Sequence, residues 1–217
     1  MVSLKNKEVL FIGDSITEGV GASCREKCFV EVFSKLSGAK VYNYGLSGTS
    51  VARQIDPVVS NFGDSFPERV DKMNETADYV IVFGGTNDFG HGDAPFGTFF
   101  DNDDKSFCGA LNLLVSKLYS KYPNARIIFL TPLHRSSENL TINEIGLPCK
   151  PLKEYVKAEI QLCETYSIPV LDLWGKSNIT PFVDASKKIY MPDGLHPSDL
   201  GHERIAKMLY TFILNLD

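Results

Sequence analysis

The sequence has no apolar run near its N-terminus longer than Val9-Leu10-Phe11-Ile12, and Lys5 and Lys7 precede it. This is far short of a signal peptide's hydrophobic region or of the ~20 residues that cross a membrane, so a cytoplasmic chain without membrane insertion is expected. The Asn-x-Ser/Thr triplets at Asn74, Asn139 and Asn178 then have no secretory context. Cysteine is sparse: Cys24, Cys28, Cys108, Cys149 and Cys163 are odd in number and form no Cys-x-x-Cys pair. That argues against a disulfide framework or a zinc ribbon. The 22 Lys and Arg are scattered among 27 Asp and Glu, for a net charge of -5, so no nucleic-acid partner is expected. There is no G-x-x-x-x-G-K-[ST] loop, and Gly13, Gly19 and Gly21 do not space as G-x-G-x-x-G, which sets nucleotide binding aside. Repeats, low-complexity tracts and linkers are also lacking, so residues 1–217 read as one domain.

What remains is an ordinary globular composition, 43% hydrophobic and 23% charged. Two periodicities alternate along it. Residues 9–12, 40–44, 79–83, 126–130 and 169–171 are short β-branched or aromatic runs bounded by Gly, Asp or Pro. They read as parallel strands covered on both faces. Between and after them, Phe29-Val32-Phe33-Leu36, Leu111-Leu114-Val115-Leu118, Leu152-Val156-Ile160-Cys163 and Ile205-Leu209-Phe212-Ile213 recur at helical spacing. The expectation is an α/β chain folded as a three-layer α/β/α sandwich. Two stretches, 84–105 and 133–150, are too long for tight turns and come directly after strand ends, where open α/β sheets bind ligands.

Four segments carry candidate chemistry. Gly13-Asp14-Ser15-Ile16-Thr17-Glu18-Gly19 comes after the first strand, a position that lifts a serine hydroxyl above the sheet beside unpaired helix-start N–H groups. The same residues suit a helix cap, and the heptad alone supports both readings equally. In Asp193-Gly194-Leu195-His196-Pro197, Asp193 can fold back onto the imidazole Nδ1–H and leave Nε2 facing outward, although a lone Asp and His in a loop are more often just a turn before a helix, here one that Ser198 or Asp199 could cap. His202 is the competing base but lacks a similarly spaced acid. Asn43-Tyr44-Gly45-Leu46-Ser47-Gly48-Thr49 and Gly84-Gly85-Thr86-Asn87-Asp88 read first as turns, and second as oxyanion donors above Ser15. Their convergence on one sheet edge favours the chemical reading over four unrelated turns.

In order and position, Gly13-Asp14-Ser15-Ile16-Thr17, Gly48, Gly85-Thr86-Asn87-Asp88 and Asp193-Gly194-Leu195-His196-Pro197 resemble the four blocks of the SGNH family, also called GDSL lipases or esterases. The resemblance runs from Gly13 to the last helix. It implies a flavodoxin-like fold of about five parallel strands in the order 2-1-3-4-5 and a serine-hydrolase mechanism using no metal or cofactor. Carried onto this sequence, it makes Ser15 the nucleophile, His196 the base and Asp193 the orienting acid. The oxyanion hole would be the Ser15 N–H, the Gly48 N–H and the Asn87 side chain.

The substrate implied is a small-molecule ester, with a lean toward short acyl groups or acetylated carbohydrates. Candidate pocket residues are Asp14, Thr86, Phe89, His91 and His134, with Asp93, Phe96, Phe99, Phe100 and Arg135 as further wall candidates. The phenylalanines have a competing reading as a satellite cluster packed beneath the loop. Rival functions are a lipase, thioesterase or acyltransferase of the same fold, a silent carbohydrate-binding protein, and a flavodoxin-like cofactor binder.

Overall fold

The computed structural model describes residues 3–56 and 63–216. Five strands form a single parallel sheet: β1 (Glu8–Gly13), β2 (Lys40–Gly45), β3 (Tyr79–Phe83), β4 (Arg126–Leu130) and β5 (Val170–Leu171), in the order β2-β1-β3-β4-β5. The order and the parallel pairing are those expected from the sequence. β5 pairs over only two residues, because Pro169 cannot donate to a ladder.

Strand alternation sorts the side chains onto two cores. Leu10, Ile12, Val80, Val82, Ile127 and Phe129 face one side, with α5 (Phe107–Lys121) and α6 (Leu152–Thr165). Val9, Phe11, Ile81, Phe83, Ile128 and Leu130 face the other, with α2 (Phe29–Ser37) and α9 (Asp199–Leu214). These four helices are the ones the periodicity predicts. Each strand needs apolar residues at successive positions because both of its faces are covered, and this gives the continuous apolar runs in the sequence.

Short helices escape the periodicity. They are α1 (Ser15–Glu18), α3 (Phe66–Val70), α4 (Thr86–Gly90), α7 (Leu173–Lys176) and α8 (Asp184–Tyr190). At one or two turns, none spans enough sequence to show a 3.6-residue repeat. Loop 84–105 therefore begins with a helical turn, whereas 133–150 stays irregular apart from the Ile142–Pro148 bridge. The five cysteines are all free thiols. Among the described residues no helix is long and apolar enough to cross a membrane.

Phe11 on β1 is fully buried and meets the edges of Phe29 and Phe33 at ring-centroid distances of 5.7 and 5.5 Å. Phe11→Ala should cost about 3–5 kcal/mol of stability, read from urea denaturation midpoints at constant slope.

Candidate active site

Ser15 reaches the sheet edge through a turn one residue long. β1 ends at Gly13 and α1 begins at Ser15, with Asp14 as N-cap accepting from the Ile16 N–H at 2.9 Å. Gly13 is required there: a Cβ would lie 2.0 Å from Thr17 Oγ1 and 2.7 Å from the Phe83 carbonyl. As the first helical residue, Ser15 has a backbone N–H without an intrahelical acceptor. Asp14 thus takes the capping role in this heptad, and the Ser15 hydroxyl is left out of the cap.

His196 arrives from the other end of the chain. Ser15 Oγ lies 3.1 Å from His196 Nε2, and His196 Nδ1 lies 2.7 Å from Asp193 Oδ2. Asp193 Oδ1 also accepts the N–H groups of Leu195 and His196, at 2.8 and 2.7 Å, so the carboxylate folds its own loop. Partial burial alone would raise the Asp193 pKa, but the bonds from the His196 ring, His196 N–H and Leu195 N–H together hold it below the usual value.

The rival base His202 serves a different purpose. It is fully buried and stacked on Phe29, its Nε2–H donates to the Val20 carbonyl at 3.1 Å, and its Nδ1 accepts the first N–H of α2, from Phe29, at 3.3 Å. Burial pulls its pKa down to about 4 and keeps it neutral. His202 thus ties α9 to the loop after Ser15. Asp199 adds bonds from Ser23 N–H and Oγ–H, and Gly21 passes so close to Pro197 that a Cβ would sit 2.2 Å from its carbonyl oxygen.

Gly48 and Asn87 stand on the same edge. Gly48 has a φ of 78°, a backbone conformation that glycine takes readily. The His91 Nε2–H donates to its carbonyl at 3.1 Å, while Glu18 Oε2 accepts the Ser47 N–H at 2.7 Å, so both sides of the Ser47–Gly48 peptide are held. Asn87 Nδ2 gives one proton to the Thr49 carbonyl at 2.9 Å and has a second to offer. Asp88 accepts the N–H groups of Val51 and Ala52 at 2.8 and 2.9 Å, securing the same loop to α4.

Arg69, which belongs to none of the four motif segments, joins them from below. This buried guanidinium donates to Thr49 Oγ1 at 2.8 Å, to the Gly13 carbonyl at 2.9 Å and to the Tyr44 carbonyl, and lies over the Phe66 ring. The sequence signal for it is Ser65-Phe66-Pro67-Glu68, a capping box with proline in the first turn, which starts the helix that carries Arg69.

A cavity of about 270 Å³ opens over Ser15 and His196, walled by Gly48, Asn87, His91, Arg135 and Glu144 on its polar side and by Val20 and Leu195 on its apolar side. Of the candidate pocket residues, His91 and Arg135 line it. The others do not. Asp14 is consumed by the helix cap, and buried Thr86 accepts from Arg135 through its carbonyl at 3.3 Å. Phe89 and Phe96 pack edge-on against Tyr155, as part of the main core and not as a separate satellite cluster beneath the loop. His134 lies against Trp174, with ring centroids 3.9 Å apart, and bonds Glu138. Asp93 accepts backbone N–H groups of residues 55 and 56, whereas Phe99 and Phe100 are exposed outside the cavity wall.

Buried carboxyls accompany the site. Burial, opposed by the Ile16 N–H and Arg69, raises the Asp14 pKa to about 7; burial, opposed by the Ala52 and Val51 N–H groups, raises that of Asp88 to about 6. Glu159 on α6, with Oε2 unpartnered, is pushed well above the ordinary value by burial and then by Asp88 and Asp14. Such groups hold more protons folded than unfolded, so their stabilisation is full below the unfolded pKa and is lost as pH rises. For Asp14 that window runs from 3.8 to about 7. The melting temperature of Glu159→Gln minus that of wild type should therefore increase from pH 4 to pH 8. Parallel curves would remove Glu159 from this account.

Residues 11–204 match the family model of the GDSL-like lipase/acylhydrolase family. Among solved structures, a protein from Lactobacillus plantarum is 28% identical over 100% of both chains, with a TM-score of 0.83. A protein described as a possible lipase from Chitinophaga pinensis is 22% identical over 97% of this chain and 99% of its own, with a TM-score of 0.71. An acetyl xylan esterase is 20% identical over 94% of this chain and 98% of its own, with a TM-score of 0.64. No curated protein matches the sequence. With the family model spanning most of the chain and all four motif segments, the chain belongs to the GDSL-like lipase/acylhydrolase family.

Proposed function

We propose that the protein is a serine esterase that cleaves small carboxylic esters through an acyl-enzyme. The observation that carries this reading is the hydrogen-bonded chain Ser15 Oγ–His196 Nε2 and His196 Nδ1–Asp193 Oδ2, at 3.1 and 2.7 Å, opening into one cavity. Ser15 Oγ attacks the ester carbonyl as His196 Nε2 takes its proton, and Asp193 steadies the imidazolium through Nδ1–H. The Ser15 N–H, the Gly48 N–H and the second Asn87 Nδ2 proton hold the oxyanion. As the intermediate collapses, His196 protonates the departing alcohol. Water, deprotonated by His196, then attacks the acyl-serine, and Ser15 recovers its proton as the carboxylic acid leaves.

At about 270 Å³ the cavity lies just under the usual range of ligand pockets, roughly 300 to 1,000 Å³. A short acyl group suits that volume. The polar side of the cavity suits an alcohol rich in hydroxyls, such as an acetylated carbohydrate.

On p-nitrophenyl acetate, Ser15→Ala and His196→Ala should each remove nearly all turnover, and the double variant should be little worse than either single one. Additive losses would contradict a shared mechanism. Asn87→Ala should lower kcat by about 10²–10³, the usual effect of deleting one oxyanion donor. A fluorophosphonate should label wild type at Ser15 and leave Ser15→Ala unlabelled, whereas a silent binding protein would take no label.

A further inference from the structure

Glu144 occupies the cavity wall in a way the reaction itself does not require. It sits on a turn closed by Asn143, whose N–H bonds the Leu147 carbonyl at 2.8 Å and whose Oδ1 accepts the N–H groups of Ile145 and Leu147 at 3.2 and 2.9 Å. The turn is fastened to the end of the segment carrying Asn87. Asn143 Nδ2 donates to the Gly92 carbonyl at 2.7 Å, and the Glu144 N–H donates to the Gly90 carbonyl at 2.9 Å.

The Glu144 carboxylate is fixed as well. Arg135, 6% exposed, donates through Nη2 to Glu144 Oε1. Arg135 is itself held by the Thr86 carbonyl at 3.3 Å and lies over the Phe89 ring, 5.4 Å from its centroid. The Glu144 side chain is 49% exposed, and Oε2 has no partner among the described residues. This pair, with its guanidinium buried and its carboxylate half-exposed, adds no bond to the reacting atoms. It does leave a carboxylate, with its conformational freedom already reduced, at the wall of a cavity that also holds Ser15 and His196.

We propose that Glu144, positioned by Arg135, is a specificity-determining residue that accepts hydrogen bonds from free hydroxyls of the substrate and so selects partly acylated polyols over plain alkyl esters. This rests on the esterase reading above. An ionised carboxylate offers about four acceptor sites and no donor, and Arg135 uses one of them. Hydroxyl-to-carboxylate bonds are among the stronger hydrogen bonds, and a neighbouring pair of hydroxyls can engage one carboxylate together. An alkyl chain of the same length offers Glu144 no donor in exchange for the water it displaces, and this disfavours the plain alkyl ester.

Glycerol 1-monoacetate and propyl acetate make a matched test, since they share the acetyl group and the three-carbon alcohol and differ by two hydroxyls. Wild type should show the higher kcat/KM on the monoacetate. In Glu144→Ala the ratio of the two kcat/KM values should fall about tenfold or more. Glu144→Gln retains an acceptor for Arg135 and should fall between them, which separates hydroxyl recognition from simple loss of the loop anchor. A wild-type ratio near one, or a ratio unchanged in both variants, overturns the assignment while leaving the esterase reading intact. If wild type cleaves neither these acetates nor p-nitrophenyl acetate in a Ser15-dependent manner, the esterase reading itself falls.

Discussion

The site depends on how β1 is held. This strand is hydrogen-bonded to β2 along one edge and to β3 along the other, and its side chains enter both cores. Because every pairing is parallel, the C-terminal ends of the strands lie on one edge, and the loop leaving each strand starts there. Ser15, Gly48, Asn87 and Arg135 all lie just past strand ends. Their proximity is a consequence of strand direction before any local contact is made.

Strand direction does not bring in His196, which lies 181 residues after Ser15 and beyond the last strand. That closure belongs to α9. His202, buried and neutral, receives the first N–H of α2 and donates to the loop after Ser15, so one imidazole fixes the helix next to His196 against the turn that carries Ser15. An ionised side chain in the same place would suffer the full cost of burial, and a hydrocarbon would leave a buried N–H and a carbonyl without partners. Histidine can donate and accept at once without charge, and this fits the position.

The buried polar groups below the edge divide the work in a similar way. Arg69 joins the ends of β1 and β2 to the loop after Gly48, and Asp88 joins that loop to the helix bearing Asn87. Asp14 and Glu159 are the less comfortable members. Both are carboxyls whose ionisation burial opposes, and Glu159 has an oxygen without a partner. Packing a polar network this close to a cavity fixes the donors in place, with a pH-dependent stability as the consequence.

Particular residues show how much of this is legible in the sequence. The strands and the four longer helices are readable, because a periodic apolar pattern is the direct imprint of a face that must be buried. The motif residues Ser15, Gly48, Asn87, Asp193 and His196 are readable because they sit at turns whose geometry restricts which residues fit. Arg69 and Glu144 are not: one long polar side chain in a short helix and another in an irregular loop look like surface residues until their partners are known. Nearness in sequence points Phe89 and His134 toward the pocket, yet they turn instead into the core and onto Trp174. The sequence by itself determined the order of strands and helices and the residue types present at each strand end. Only the tertiary structure decided which side chains face the cavity, because that depends on the direction each side chain takes out of its loop, set by hydrogen-bond partners far away in the chain.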